Sequence, residues 1–390
     1  MTKGTGQSSY PLWQVGFRPF FALAMLAGMS LPTLWVLVHE GALEFPTQRF
    51  SSVQWHAHEM FFGFGWAVVG GFLLTATKNW VGVRGYHGQA LKLLVAAWLF
   101  ERIGMALSGN WPPALFWLSN NLFLGSIVAM LVWTLVRHRA TDSYSDNYFF
   151  LLVLPIFLVA KHLMLSNEHY LIGWAMTVGL FRMAFLVMLE RTLTPFMKGA
   201  FQVNILRHPA LDMPIKLLGM LLVFASLLSP ALTVMASLFL ALLMLVRFAF
   251  WKPQLAFTRL DIGIMYLGYL LIVVQLLVES YRLLSPAPEL TSLSIHVFTF
   301  GVMGLIVPAM LIRISQGHTG RKVAFDRYDK YVLWITIVAL LLRIGAPLFF
   351  PAYYSTWIVL AAGCWFATFW LLAWRYIPLL MRPRIDGLEH

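Results

Sequence analysis

Twelve long apolar runs follow one another along this chain, at about 17–39, 54–77, 89–108, 113–136, 147–165, 169–190, 211–229, 231–250, 260–283, 291–313, 329–349 and 353–377, with only short polar breaks between them. Each approaches the roughly 20 residues a helix needs to cross the hydrocarbon layer of a membrane. In that layer a segment must satisfy its own backbone N–H and C=O groups, which helices do internally. The expected fold is therefore an all-α polytopic bundle of about twelve transmembrane helices, with the lipid bilayer as its main partner. Runs seven and eight meet at Ser229-Pro230, so they are either two helices or one kinked or re-entrant element. Composition agrees: the chain is 60% hydrophobic and only 11% charged, which excludes an ordinary soluble enzyme and a disordered chain. The formal net charge of +12 reads as basic loops on one membrane face, with no nucleic acid as partner.

Most of the 28 lysines and arginines fall in alternate loops, and only Arg49, Arg102, Lys161, Arg282 and Arg343 map to the opposite side. Both termini are expected to be cytoplasmic on this count. The first run is long, interrupted by Pro32 and lacks a small-residue cleavage site, so it reads as an anchor. No polar stretch is long enough for a soluble domain. Residues 1–387 form a single transmembrane domain in this reading, and Leu388-Glu389-His390 an expression-tag remnant.

Cys364 is the single cysteine, so no internal disulfide, thiolate iron–sulfur cluster or thiol-based zinc site can form within the chain. Any metal must be held by histidine, carboxylate or methionine. Six histidines, His39, His56, His58, His162, His169 and His296, map near the periplasmic ends of runs one, two, five, six and ten, while His318 lies on the cytoplasmic side just beyond run ten. Ionisable groups at membrane depth are costly unless they work there, and imidazole nitrogens suit haem iron, copper and zinc. In Trp55-His56-Ala57-His58-Glu59 the two imidazoles would point about 200° apart on a helix, whereas His56 and Glu59 would share a face. Either this entry is extended and both histidines reach one metal, or they serve different centres. Glu59 is the carboxylate best placed to supply protons. Arg182, inside run six, needs a carboxylate or a haem propionate as partner.

Several motifs together resemble one family. They are Gly16-Phe17-Arg18-Pro19-Phe20-Phe21, then Trp55-His56-Ala57-His58-Glu59-Met60 with Phe62-Gly63-Phe64, then Gly71-Phe72-Leu73-Leu74-Thr75-Ala76 with Asn79-Trp80, and finally His296 leading to Gly317-His318-Thr319-Gly320-Arg321. In order and spacing they are similar to the NnrS family across nearly the whole chain. The resemblance implies a bacterial inner-membrane protein that contains haem and copper and acts in the nitric oxide response. By position His56, His58, His162 and His296 match the family's membrane histidines, and His318 its cytoplasmic one. His39 and His169 are further candidates. Arg18, Arg182, Arg313 and Arg321 are candidate propionate or charge partners. Met197-Lys198 departs from the family's pattern after the sixth span, which bears on that loop and not on the histidines.

The expected function is a centre of haem b and copper near the periplasmic face that binds nitric oxide and reduces it to nitrous oxide, with Glu59 as proton donor and an electron donor the sequence does not identify. A haem or copper transporter and a nitric oxide sensor without turnover are the alternatives. For the transporter, Pro32, Pro308 and Gly345-Ala346-Pro347 interrupt runs one, ten and eleven, but no six-plus-six repeat is evident.

Overall fold

The computed structural model describes residues 10–45, 49–144, 147–285 and 288–387. Lys3 and the tag-like Leu388-Glu389-His390 lie outside the described residues. The helices are α1 (Phe17–His39), α2 (Ser52–Val81), α3 (Gln89–Leu107), α4 (Pro113–Arg137), α5 (Tyr148–Leu165), α6 (Tyr170–Phe201), α7 (Pro209–Leu227), α8 (Pro230–Phe250), α9 (Leu260–Leu284), α10 (Leu290–Gly317), α11 (Arg327–Phe349) and α12 (Pro351–Leu380). No strand occurs among the described residues.

Eleven of these helices are long and apolar enough to cross a membrane. The remaining one is α3, 19 residues long, which carries Lys92, Glu101 and Arg102. The ambiguity between runs seven and eight resolves into two helices. Phe224 leaves the helical region, Leu228 is extended, and Ser229 opens α8 by accepting a hydrogen bond from Leu232 N at 3.3 Å. Pro230 then occupies the first helical position, where its missing N–H costs nothing.

The described chain divides into two compact units. One comprises the residues up to Leu158, with Arg313–Ala324 and those from Phe369 on; the other comprises Val159–Ile312 and Phe325–Thr368. In unit one, α1 lies close against α2. A Cβ on Gly71 would sit 2.8 Å from Phe20 Cβ, so this glycine of the motif is a packing requirement. Phe17 N donates to Thr75 Oγ1 at 2.9 Å across the same contact. In unit two, α6 packs on α7, and α9 packs on α8 and α10.

Three stretches widen from α to π geometry: Glu59–Gly65 in α2, Val297–Met303 in α10 and Leu341–Gly345 in α11. Such wide turns disrupt the regular ladder and concentrate at functional positions. Here the first two begin immediately after His58 and His296.

Candidate functional site

Ser51 and Gln54 form a reciprocal capping box at the start of α2, so the chain is already helical at His56 and His58. This removes the extended-entry option in which both imidazoles reach one metal. Instead they diverge. His56 stacks on Trp35 with ring centroids 4.4 Å apart, and His39 stacks on the other contact of the same indole at 4.8 Å. His58 points the opposite way, into the interior of unit one.

There His58 is fully buried in a cluster of charge. Its Nδ1 lies 3.0 Å from Glu59 Oε1, and its Nε2 lies 3.5 Å from both Glu101 Oε1 and Asn120 Nδ2. Arg102 closes the circuit by donating from Nη1 to Glu59 Oε2 at 3.1 Å and placing Nη2 3.0 Å from Glu101 Oε1. The first contact is a well-directed hydrogen bond, while the second is ionic without an aimed N–H. The two carboxylates are at most 1% exposed.

The π segment makes room for this circuit. Gly63 lacks the Cβ that would fall on Arg102 Nη1, and its carbonyl accepts a hydrogen bond from Trp98 Nε1 at 3.1 Å. Trp98 and Arg102 are one turn apart on α3, and the guanidinium lies 5.4 Å from that indole.

Two buried carboxylates, an imidazole and a guanidinium thus meet in one cluster, and burying charge is tolerable only where it is paired. It is an acid–imidazole–acid chain inside an apolar helix bundle.

In unit two the same framework recurs with different chemistry. His58-x3-Phe62-Gly63 is matched by His296-x3-Phe300-Gly301, and Arg102-Ile103-Gly104 on the following helix by Arg343-Ile344-Gly345. Each histidine immediately precedes a π segment of 7 residues and faces the phenylalanine four residues on, at 5.4 Å for His58 and 6.1 Å for His296. Arg343 contacts His296 directly, however. His296 Nδ1 lies 2.7 Å from Ser292 O, and Arg343 Nη2 lies 3.1 Å from Nδ1 and 3.3 Å from Nε2. Val297 and Leu342 stand where the first copy has Glu59 and Glu101. The second copy thus has no carboxylate at either matched position, and the Ser292 and Tyr354 hydroxyls are among the contacts of Arg343. The sequence reading looked for two halves of six helices and missed this spacing of eight.

The other expected residues lie elsewhere. His162 is exposed on α5, and its neighbour Lys161 is the buried one. His169 lies beside Ser166 at the start of α6. Arg182 is buried and donates to Gln275 Oε1 at 2.9 Å. Gln275 in turn donates to Ser294, which donates to Glu279 at 2.9 Å, so the guanidinium meets a neutral amide with the carboxylate two hydrogen bonds away. Arg18, wholly buried, donates to the carbonyls of Leu380 and Arg382 at 2.6 and 2.7 Å. Arg313 is half-buried on α10.

Gly317-His318-Thr319-Gly320-Arg321 is a turn that docks the C-terminal segment. Arg384 Nη1 donates to His318 O, Ile385 N donates to Thr319 O at 3.1 Å, and Arg321 Nη1 donates to Thr319 Oγ1 at 3.0 Å. Gly320 has φ +80°, and a Cβ there would meet the Asp386 carboxylate at 2.7 Å, so glycine is required twice over. His318 packs against Phe17, with ring centroids 5.4 Å apart. Burial, reinforced by the nearby Lys78 and Arg384 cations, pushes its imidazole down to about 4.

Sequence reading also missed a buried ionic network in unit two. Glu190 meets Arg207 at 2.6 Å, Lys216 at 2.9 Å and Arg247 at 3.1 Å, while Asp212 meets Arg207 and Arg247. Tyr269 accepts from Arg247 Nε at 3.0 Å. This network ties α6, α7, α8 and α9 together.

Among the described residues no group of three or more His, Cys, Asp or Glu side chains is disposed to hold a metal ion. The reason is visible at His58: its two carboxylate neighbours lie against opposite ring nitrogens and do not converge. The family model described as NnrS protein matches residues 11–384 of this chain. No curated protein matches it.

Proposed function

Because the chain belongs to the NnrS family, and is thereby a membrane protein of the nitric oxide response, we propose that it resides in a bacterial inner membrane, binds nitric oxide and reduces it there to nitrous oxide. The stoichiometry is two nitric oxide, two electrons and two protons to one nitrous oxide and one water. The observation that carries the proposal is the buried Glu59–His58–Glu101 chain with Arg102. A reaction that consumes protons inside an apolar bundle needs a protonatable group held out of water, and this chain has the composition to hold one. Nitric oxide partitions into lipid, so the site needs no polar entrance for its substrate.

The proposed cofactors are haem b and copper, and the residues bear on them differently. His58 does not fit haem ligation and proton relay together, because its Nδ1 is held by Glu59 and its Nε2 faces Glu101 and Asn120; the proton role is assigned to it and no haem ligand is named. A bound haem iron would supply the open coordination position where a diatomic binds. A copper centre of several histidines does not fit the described arrangement: His56 faces Trp35, His58 faces the interior, and the imidazole of His296 lies against Arg343. No step is assigned to copper.

The test is an anaerobic assay of purified protein with quantified haem and copper, a chemical reductant and nitric oxide, following nitrous oxide by gas chromatography and the haem spectrum together. The expected result is many nitrous oxide per protein in the wild type. Glu59→Gln should lower turnover roughly 100-fold or more, the usual range for losing a positioned acid, with the spectral shift on nitric oxide binding retained. Binding without product would replace the reductase by a sensor. Absence of both, with haem or copper release to an acceptor, would replace it by a carrier.

A further inference from the structure

We propose that unit one carries a binding site for an anionic phospholipid, in the cavity lined by Lys78, Arg84, His87 and His138. The cavity measures about 370 Å³ and lies between the last turns of α2 and α4 and the connection from α2 to α3. That volume falls in the range of ligand-sized sites, roughly 300–1,000 Å³. No carboxylate lines it, and neither Lys78 nor Arg84 makes an ion pair among the described residues. Two cations and two imidazoles therefore face one cavity with no anion of the protein to answer them.

The cavity is built rather than left by a loose loop. Gly82 ends α2 at φ +68°, and Val83 N donates back to Lys78 O at 3.0 Å. The Tyr86 hydroxyl donates to Met130 O and accepts from Thr134 Oγ1, both at 3.1 Å. At the far end of the connection Gly88 takes φ +60°, and its N–H donates to Trp13 O at 2.7 Å. The next turn of chain is held as well, by Thr141 Oγ1 donating to Val81 O at 2.7 Å. These bonds fix the backbone on three sides while leaving the basic heads of Lys78 and Arg84 uncommitted.

The remaining wall decides what kind of anion fits. Leu74, Ala90, Leu131 and Trp133 form an apolar side, and Trp133 is 66% exposed. In a chain of membrane-spanning helices an exposed apolar side chain near a helix end meets acyl chains and the interfacial layer, where tryptophan is favoured. The lining of the cavity thus combines cationic side chains with an apolar surface that includes the exposed Trp133. Inorganic phosphate would use the first feature and not the second. A phosphate ester carrying acyl chains uses both, and basic pockets between transmembrane helices are a recurring place for anionic headgroups.

The test uses delipidated, detergent-solubilised full-length protein and native mass spectrometry. Dioleoyl phosphatidylglycerol is titrated against dioleoyl phosphatidylcholine, with inorganic phosphate and glycerol phosphate as competitors. Wild type should retain phosphatidylglycerol in preference to phosphatidylcholine. At about fivefold in affinity for each basic side chain near a headgroup, K78Q/R84Q should weaken that binding by roughly 25-fold and R84Q alone by about fivefold. Arg84 is exposed on the connection, so its single variant keeps the test valid if the double variant folds poorly. K252Q/K330Q, with equal loss of charge elsewhere, should bind like wild type. Equal weakening by the two double variants, or equal binding of the two lipids, would overturn the proposal. Displacement of the lipid by equimolar inorganic phosphate would also overturn it, in favour of a simple phosphate site.

Discussion

Arg102→Gln tests the central cluster most directly. Arg102 sits 3.1 Å from Glu59 and 3.0 Å from Glu101, with both carboxylates essentially out of solvent and its own side chain 11% exposed. At an effective dielectric of about 20, each contact is worth roughly 5 kcal/mol of Coulomb attraction. Much of this offsets the desolvation of the three groups, so the pairs add little net stability relative to an apolar replacement. Removing only the cation is a different matter. It strips a cation from two buried carboxylates, a change that typically costs about 3–5 kcal/mol. Neutralising one carboxylate at the same time restores the balance, so Glu59→Gln/Arg102→Gln should be more stable than Arg102→Gln by about 1–3 kcal/mol, the scale of coupling between contacting charges. Stability would be read from the folded fraction across a denaturing-detergent titration of the four proteins of the cycle. A loss below about 1 kcal/mol for Arg102→Gln, or strict additivity in the double variant, would refute the charge pairing in the cluster. Arg343→Gln provides the contrast, since its partners are His296, Ser292 and Tyr354 and no carboxylate is stranded; its cost should be no more than about 2 kcal/mol.

Gly63→Ala should act through the same cluster, because a Cβ there would fall on Arg102 Nη1; nitrous oxide production should drop at least tenfold while the protein still elutes as a folded species, and unchanged turnover would deny that the π segment positions Arg102. Glu190→Gln removes the one carboxylate shared by Arg207, Lys216 and Arg247 and should destabilise the protein by about 3 kcal/mol or more in the same titration, without changing nitric oxide binding. His318 gives a pH signature. Its folded value of about 4 lies below the ordinary imidazole value of 6.5, so the unfolded chain binds the extra proton as pH falls between them. The associated stability is intact above about 6.5 and is lost progressively toward 4, to a limit of about 3 kcal/mol. Thermal unfolding followed from pH 7 to 4.5 should show a steeper decline in wild type than in His318→Gln, and parallel curves would refute the assignment.

The apolar runs made the helix number legible because hydrocarbon imposes one length and one solution to backbone hydrogen bonding. They were least informative where a helix carries chemistry. Lys92, Glu101 and Arg102 together leave α3 outside the set of long apolar helices, and the Glu101-Arg102 interruption of an otherwise apolar run was the available signal of the site. Sequence reading assigned Arg102 to a membrane face and passed over Glu101 and Asn120. His58 and Glu59 drew notice in the sequence, since a histidine and a glutamate at the start of an apolar run are conspicuous. Their geometry was not legible, because whether α2 begins before or after His56 depends on the Ser51–Gln54 cap, a choice among several polar residues. His162 shows the converse difference. Its position in the run suggested an interior imidazole, yet α5 turns Lys161 inward and His162 outward, a rotation of about 100° that a nearly uniformly apolar helix does not encode.

The repeated framework also bears on which histidine does what. Both copies preserve the histidine before a π segment, the phenylalanine and glycine that follow, and the arginine on the next helix. What differs is confined to the two positions that would carry carboxylates. In the first copy they are glutamates, and the arginine is turned onto them; in the second they are Val297 and Leu342, and the arginine is turned onto the imidazole itself. A guanidinium lies against the His296 imidazole, whereas a carboxylate lies on each side of His58. The scaffold therefore supplies the same donor in two electrostatic settings, and of the two histidines it is His58 that carboxylates flank. That asymmetry is the physical reason to assign proton delivery to the Glu59–His58–Glu101 chain and not to His296.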